Sequence, residues 1–224
     1  MDQTVSPSST EIASKLLQIK AIKLSPQNPF TWASGIKSPI YCDNRIVLSY
    51  PNIRRSVIQA LRETAQGMGS FNMIAGVATA GIAHGALLAH AMDLPFVYVR
   101  SKAKGHGRQN RVEGELRGNE RILVIEDLIS TGGSCLEAVK VLRDRGCHVE
   151  GVLAIFSYGF ARAQDAFAAA DCPFQTLTNY QILVEEAVKS GYISAADQSS
   201  LQAWRKAPEK WGLSGQSNEY TIGN

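Results

Sequence analysis

Between residues 122 and 142 an apolar run meets two acids, a small hydroxylated loop and a helical repeat, and this order limits the possible folds more than any other stretch. Ile122, Leu123, Val124 and Ile125 are continuously apolar, the pattern of a strand buried on both faces. Glu126 and Asp127 follow, then Leu128, Ile129, Ser130, Thr131, Gly132, Gly133 and Ser134. After them Cys135, Leu136, Ala138, Val139 and Leu142 recur at helical spacing, and Gly146 stands where a C-terminal cap is expected. The spacing predicts a strand over 121–126 and a helix over 134–145. The loop between them can aim backbone N–H groups and the hydroxyls of Ser130, Thr131 and Ser134 at one anion, with a helix N-terminus behind it. A phosphate suits such a cradle. The two carboxylates would repel that phosphate, so they must hold something neutral or cationic: vicinal sugar hydroxyls or a magnesium ion. The group implied is a ribose 5-phosphate. An ordinary strand-to-helix turn explains the paired glycines but not two acids beside three hydroxyls. A P-loop needs Lys after its second glycine, where Ser134 stands, and no G-x-G-x-x-G is present at this turn.

The whole chain sets wider limits. Its 224 residues suffice for one well-filled core, and a single domain over 1–224 is expected. A formal net charge of +3 is too small to make nucleic acid a main partner. Cys42, Cys135, Cys147 and Cys172 lie far apart, with no C-x-x-C pair and no spacing that suits zinc, so a reduced, cytoplasmic protein is expected. No apolar run is long enough to span a membrane, and the first residues lack the basic-then-apolar order of a signal peptide.

Along the chain, residues 1–9 read as disordered, and Ser9 or Thr10 can cap a helix carrying Ile12, Leu16 and Ile19 on one face. Residues 30–47 suggest a hairpin punctuated by Gly35 and Pro39. A helix over 52–66 follows. Strands are predicted over 73–77, 96–100, 121–126, 149–157 and 174–177, alternating with helices over 82–92, 134–145 and 163–170. Further helical stretches cover 180–189 and 195–204. This alternation predicts an α/β fold: a mostly parallel central sheet flanked by helices, with a small N-terminal hairpin and helix hood over about 10–50. Ligand sites in such sheets lie beyond the carboxyl ends of the strands. One segment breaks the rhythm. Residues 101–118 join two strands with no helical pattern and carry Lys102, Lys104, His106, Arg108, Arg111 and Arg117. Set near a phosphate pocket, this basic segment reads as a mobile lid over an anionic substrate, with Gly105 and Gly107 as hinges. His84 and His90 read as packing or surface residues, Trp204 and Trp211 as C-terminal packing, and Arg54, Arg55 and Arg62 as a solvated helix face.

The strand, acid pair and phosphate loop resemble the signature of the type I phosphoribosyltransferases. F-T-W-A-S-G-I-K-S-P-I-Y-C-D-N-R over 30–45 resembles the substrate hairpin of the orotate-specific members, and R-S-K-A-K-G-H-G over 100–107 their catalytic loop. The C-terminal region from L-V-E-E-A-V-K-S-G-Y-I-S to Ala203-Trp204-Arg205 is similar to theirs as well. The resemblance implies transfer of a phosphoribosyl group from 5-phosphoribosyl 1-diphosphate to orotate in pyrimidine (UMP) synthesis, with Mg2+. It also implies a homodimer whose loop is shared across subunits, with no nucleic-acid or membrane partner. It makes Lys104, His106 and Asp127 catalytic. Arg100, Lys104 and His106 are implied as diphosphate contacts, and Glu126 and Asp127 as the acids that hold the ribose. Leu128, Ile129, Ser130, Thr131, Gly132, Gly133 and Ser134 are implied as the 5-phosphate cradle, with Ser130 also touching orotate. The turn Ala78-Thr79-Ala80-Gly81 matches the diphosphate loop. Some members carry Lys where Ala33, Ala80 and Ser101 stand and an orotate-contacting Arg where Tyr158 stands; Lys37 and Lys102 can replace part of that charge. Two other readings share the motif: transfer to another base, and a regulator using the fold to sense an effector.

Overall fold

The structure is a computed structural model and describes residues 8–31, 35–101 and 111–211. The first part of the chain forms α1 (Ser9–Gln18), β1 (Ile22–Leu24), β2 (Phe30–Thr31), β3 (Lys37–Ser38), β4 (Ile40–Cys42) and a 3-10 helix (Asn44–Ser49). Then come α2 (Pro51–Gln66), β5 (Met73–Val77), α3 (Ala80–Met92), β6 (Phe96–Val99), β7 (Val112–Glu113) and β8 (Arg121–Ile129). The chain ends with α4 (Gly133–Arg143), β9 (His148–Ser157), α5 (Ala161–Ala169), β10 (Phe174–Asn179), α6 (Tyr180–Lys189) and α7 (Asp197–Lys206).

Six strands form the central sheet in the order β10-β9-β8-β5-β6-β7, all parallel except β7, which runs antiparallel to β6. The expected mostly parallel sheet with flanking helices is therefore present. Alternate residues of each strand feed two separate cores. Leu123 and Ile125 pack with Ile12, Leu61, Leu88, Leu183 and Trp204, under α1, α2, α3, α6 and α7. Ile122 and Val124 pack on the other face with Val139, Leu142, Ala163 and Phe167 from α4 and α5. Burial on both faces is why these strands read as unbroken apolar runs.

The N-terminal part forms two small antiparallel pairs, β1 with β4 and β2 with β3. Ser8, one residue before the expected cap, accepts the Glu11 N–H and starts α1. α2 starts one residue before its expected position because Pro51 takes the first turn, where its missing N–H costs nothing. Within the segment expected to be irregular, Val112 and Glu113 add the short strand β7 to the sheet edge. The largest difference concerns β8, which continues three residues past its expected end at 126 because β9 stays in register with it as far as Ile129 and Ser157. The two acids thus lie within a strand. Among the described residues no helix is long and apolar enough to cross a membrane, and all four cysteines are free.

Candidate active site

The site begins where β5 stops and β8 runs on. β5 ends at Val77, its last register partner on β8 being Ile125, and the chain turns at Ala78–Thr79 into α3. The start of α3 is pressed against β8. A Cβ on Gly81 would collide with the Ile125 carbonyl and come within 3.3 Å of the Glu126 Cα. Only glycine lets that helix N-terminus approach the acids so closely. The Ala78–Gly81 turn and the acid pair, separated by more than forty residues of sequence, are thereby brought together.

Glu126 is buried and Asp127 half-buried. One Glu126 oxygen accepts the Asp127 N–H at 3.0 Å; the other faces the Ser134 hydroxyl at 3.4 Å and the Cys135 thiol at 3.6 Å. Burial pushes the Glu126 carboxyl well up, and the Asp127 charge adds to that push. Burial also raises Asp127, against the opposing pull of a hydrogen bond to Glu126 and the charge of Arg45. Two adjacent carboxyls in this state hold their protons more tightly than free ones, and hydroxyl donors or a cation would relieve them.

Beyond β8 the chain bends through Ser130, Thr131 and Gly132 into α4. Gly132 sits at φ 83°, in the left-handed region, and a Cβ there would meet the Phe167 ring at 2.8 Å. The first helical bond runs from the Leu136 N–H to the Gly132 carbonyl at 3.0 Å, so the N–H groups of Gly133, Ser134 and Cys135 have no intrahelical acceptor. Thr131, Gly133 and Ser134 are exposed, whereas Ile129 is fully buried and its carbonyl accepts the Tyr158 N–H at 3.2 Å. The arrangement can bind an anion through backbone dipoles.

Other expected residues lie around this centre. Arg100 pairs with Glu113 at 3.4 Å, and its N–H and carbonyl both bond to Arg111, at 2.7 and 2.9 Å. Arg111 in turn reaches Glu137 on α4 at 2.6 Å, tying the stem of the basic segment to the helix that follows the 130–132 bend. Lys37 bonds to the Thr31 hydroxyl at 2.8 Å within the hairpin. Lys102, Lys104, His106, Trp32 and Ala33 lie outside the described residues. Trp204 is fully buried against Tyr158, Phe160 and Tyr180. Arg54, expected on a solvated face, donates to the Leu48 carbonyl at 2.7 Å.

Sequence reasoning missed the polar triplet after β4. Asn44, fully buried, donates its amide to the Asp127 carbonyl at 2.8 Å. Asp43 grips Arg45 through both carboxylate oxygens, at 2.7 and 2.9 Å. His84 of α3 is fully buried against the Asn44 backbone, and burial lowers its pKa to about 4, so it is neutral at pH 7. A polar run directly after an apolar strand was the available signal.

Residues 45–158 match the family model of the phosphoribosyl transferase domain. The orotate phosphoribosyltransferase of Porphyromonas gingivalis is 54% identical over 203 residues, covering 90% of this chain and 97% of that protein. The chain belongs to the orotate phosphoribosyltransferases. The Bacillus caldolyticus enzyme of the same name is 51% identical over 203 residues, covering 90% of this chain and 98% of its own. Among solved structures, orotate phosphoribosyltransferase from Aeropyrum pernix superposes with a TM-score of 0.71 at 28% identity, over 82% of this chain and 99% of that one. Leishmania donovani UMP synthase superposes with a TM-score of 0.74 at 27% identity, over 88% of this chain and 42% of that one. In this family member the matched domain runs from Arg45 to Tyr158, so it takes in the acid pair, the 130–134 loop and the Ala78–Gly81 turn.

Proposed function

We propose that this orotate phosphoribosyltransferase transfers the phosphoribosyl group of 5-phosphoribosyl 1-diphosphate to N1 of orotate, giving orotidine 5′-monophosphate and diphosphate for UMP synthesis. The single observation that carries the assignment of roles is the pair Glu126–Asp127 at the end of β8, one bend ahead of the anion cradle of α4. A sugar held by its hydroxyls on the pair and by its 5-phosphate on the cradle has its C1′ placed over the ends of β5 and β8.

In the reaction the C1′–O bond breaks and the diphosphate leaves with the bonding electrons, while the N1 lone pair of the orotate anion forms the C1′–N bond. Positive character grows on the ribose and negative charge on the leaving group. Stabilising such developing charge is usually the largest part of catalysis. Asp127 supports the sugar, and Lys104, His106 and Arg100 neutralise the diphosphate. Closure of the 101–118 segment excludes the water that would otherwise hydrolyse the sugar diphosphate. Magnesium would enter with the substrate, through its diphosphate and ribose rather than a protein site, and would offset its negative charge while Glu126 and Asp127 hold the sugar. The same reading includes a homodimer in which the loop of one subunit covers the site of its partner.

The test is loss of orotate absorbance when the protein is mixed with the sugar diphosphate, with and without magnesium. Orotate is expected to be consumed only with both present. Consumption of a purine in place of orotate would overturn the choice of base.

A further inference from the structure

We infer that Asn44 is a positioning residue for the ribose grip: its amide fixes the Asp127 peptide so that the acid pair keeps its aim at the sugar. The inference rests on the role just proposed for Glu126 and Asp127, and extends it to a residue outside the phosphate motif.

The need for such a residue comes from the sheet. β8 outruns β5, so past Ile125 it loses its neighbour on that side. A backbone carbonyl left there needs another partner. Asn44 supplies it from the hood, donating Nδ2 to the Asp127 carbonyl at 2.8 Å across 83 residues of sequence. The Asp127 N–H is taken by the Glu126 carboxylate at 3.0 Å. Both polar ends of residue 127 are therefore held by side chains at the point where β8 carries its two acids.

Asn44 is itself placed by a fixed frame. The Asp43 N–H donates to the Ala21 carbonyl at 2.7 Å, and the Asp43 carboxylate accepts the Arg45 N–H at 3.2 Å as well as its guanidinium. The side chain is fully buried, and its Oδ1 has no hydrogen-bond partner among the described residues. Burying an amide that uses only its donor costs free energy that an apolar residue of similar size would not cost. Stability alone does not account for asparagine here; a donor aimed at the acid-bearing strand does. His84, the neighbouring buried polar side chain, is neutral and brings no competing charge.

Calorimetric titration of the full chain with ribose 5-phosphate and with inorganic phosphate separates this role from a structural one. Ribose 5-phosphate needs both the acid pair and the cradle, whereas phosphate needs the cradle alone. Asn44→Ala is expected to weaken ribose 5-phosphate by about tenfold, the effect of one lost buried hydrogen bond, and to leave phosphate within about twofold of wild type. Asn44→Leu keeps the size and removes the donor without adding a charge, and is expected to do the same; it serves if the alanine variant does not fold. Variants that bind ribose 5-phosphate as wild type does, or lose both ligands equally, overturn the inference. A wild-type protein that binds phosphate but not ribose 5-phosphate overturns the proposed ribose grip as well, and with it this role.

Discussion

Burial and the charge of Asp127 both work against an ionised Glu126, so the residue sits in a conflict between folding and binding. The sign of the resulting pH dependence follows from linkage. In the unfolded chain this carboxyl loses its proton around pH 4.5, whereas in the folded chain it keeps the proton to higher pH. Above pH 4.5 the folded state therefore binds more protons, and stability falls as pH rises. Glu126→Gln cannot ionise and removes that penalty. The variant is expected to be more stable than wild type by on the order of 2 kcal/mol at pH 8, with little difference at pH 4, in urea melts of the free protein. It is also expected to lose measurable orotate transfer, the usual cost of relaxing a strained site. A variant no more stable than wild type at pH 8 would show that the acids are not in conflict. These acids and the hydroxyls after them were legible because they are consecutive, so one stretch of sequence displays the whole chemical set. Asn44 was not, because its meaning lies in a contact made 83 residues away, whereas His84 read as packing or surface and is fully buried.

At the scale of elements, the site depends on how closely α3 can approach the sheet. Gly76, Gly81 and Gly85 form a seam in which each hydrogen stands where a Cβ would meet strand, helix or the Phe96 ring. Gly81→Ala is the sharpest probe, because its obstacle is the β8 backbone at the acid pair rather than a side chain that can turn aside. The helix start must move, and overpacking of this kind costs about 1–3 kcal/mol. The expected outcome is a lowered urea midpoint and a loss of kcat larger than stability alone explains, since the Ala78–Gly81 turn, the proposed diphosphate contact, moves with the helix. An alanine variant with wild-type turnover would mean that α3 does not set the site. The central strands and long helices were legible from their apolar periods, since burial on two faces writes a continuous run and burial on one writes a 3.6-residue repeat. The end of β8 was not, because hydrogen bonding to β9 carries the strand on after the apolar run ends. The hood's hairpin was legible from Gly35 and Pro39, but its strands and β7, of two or three residues each, are too short to leave a period.

At the scale of the whole molecule, the basic segment springs from the edge of the sheet while the acids lie in its interior. Its stem is the β6–β7 pair, closed by Arg100 and Arg111, whereas Glu126 and Asp127 are on β8, on the far side of β5. A loop rooted at an edge is well placed to reach across to a second copy, which is the arrangement proposed for the dimer. Two individually inactive variants test it. Lys104→Ala is expected to disable the loop, and Asp127→Asn the proposed sugar grip. If the loop works across subunits, a mixed dimer contains one site with both defects and one site with neither. Equal amounts, dissociated and reassociated at random, should then recover about a quarter of wild-type activity, since half of the dimers are mixed and each has one intact site. If each loop serves its own subunit, every site in the mixture carries one defect and activity stays at the level of the separate variants. Size-exclusion chromatography on the same mixture shows whether dimers formed, so that a missing recovery counts against sharing of the loop rather than against assembly.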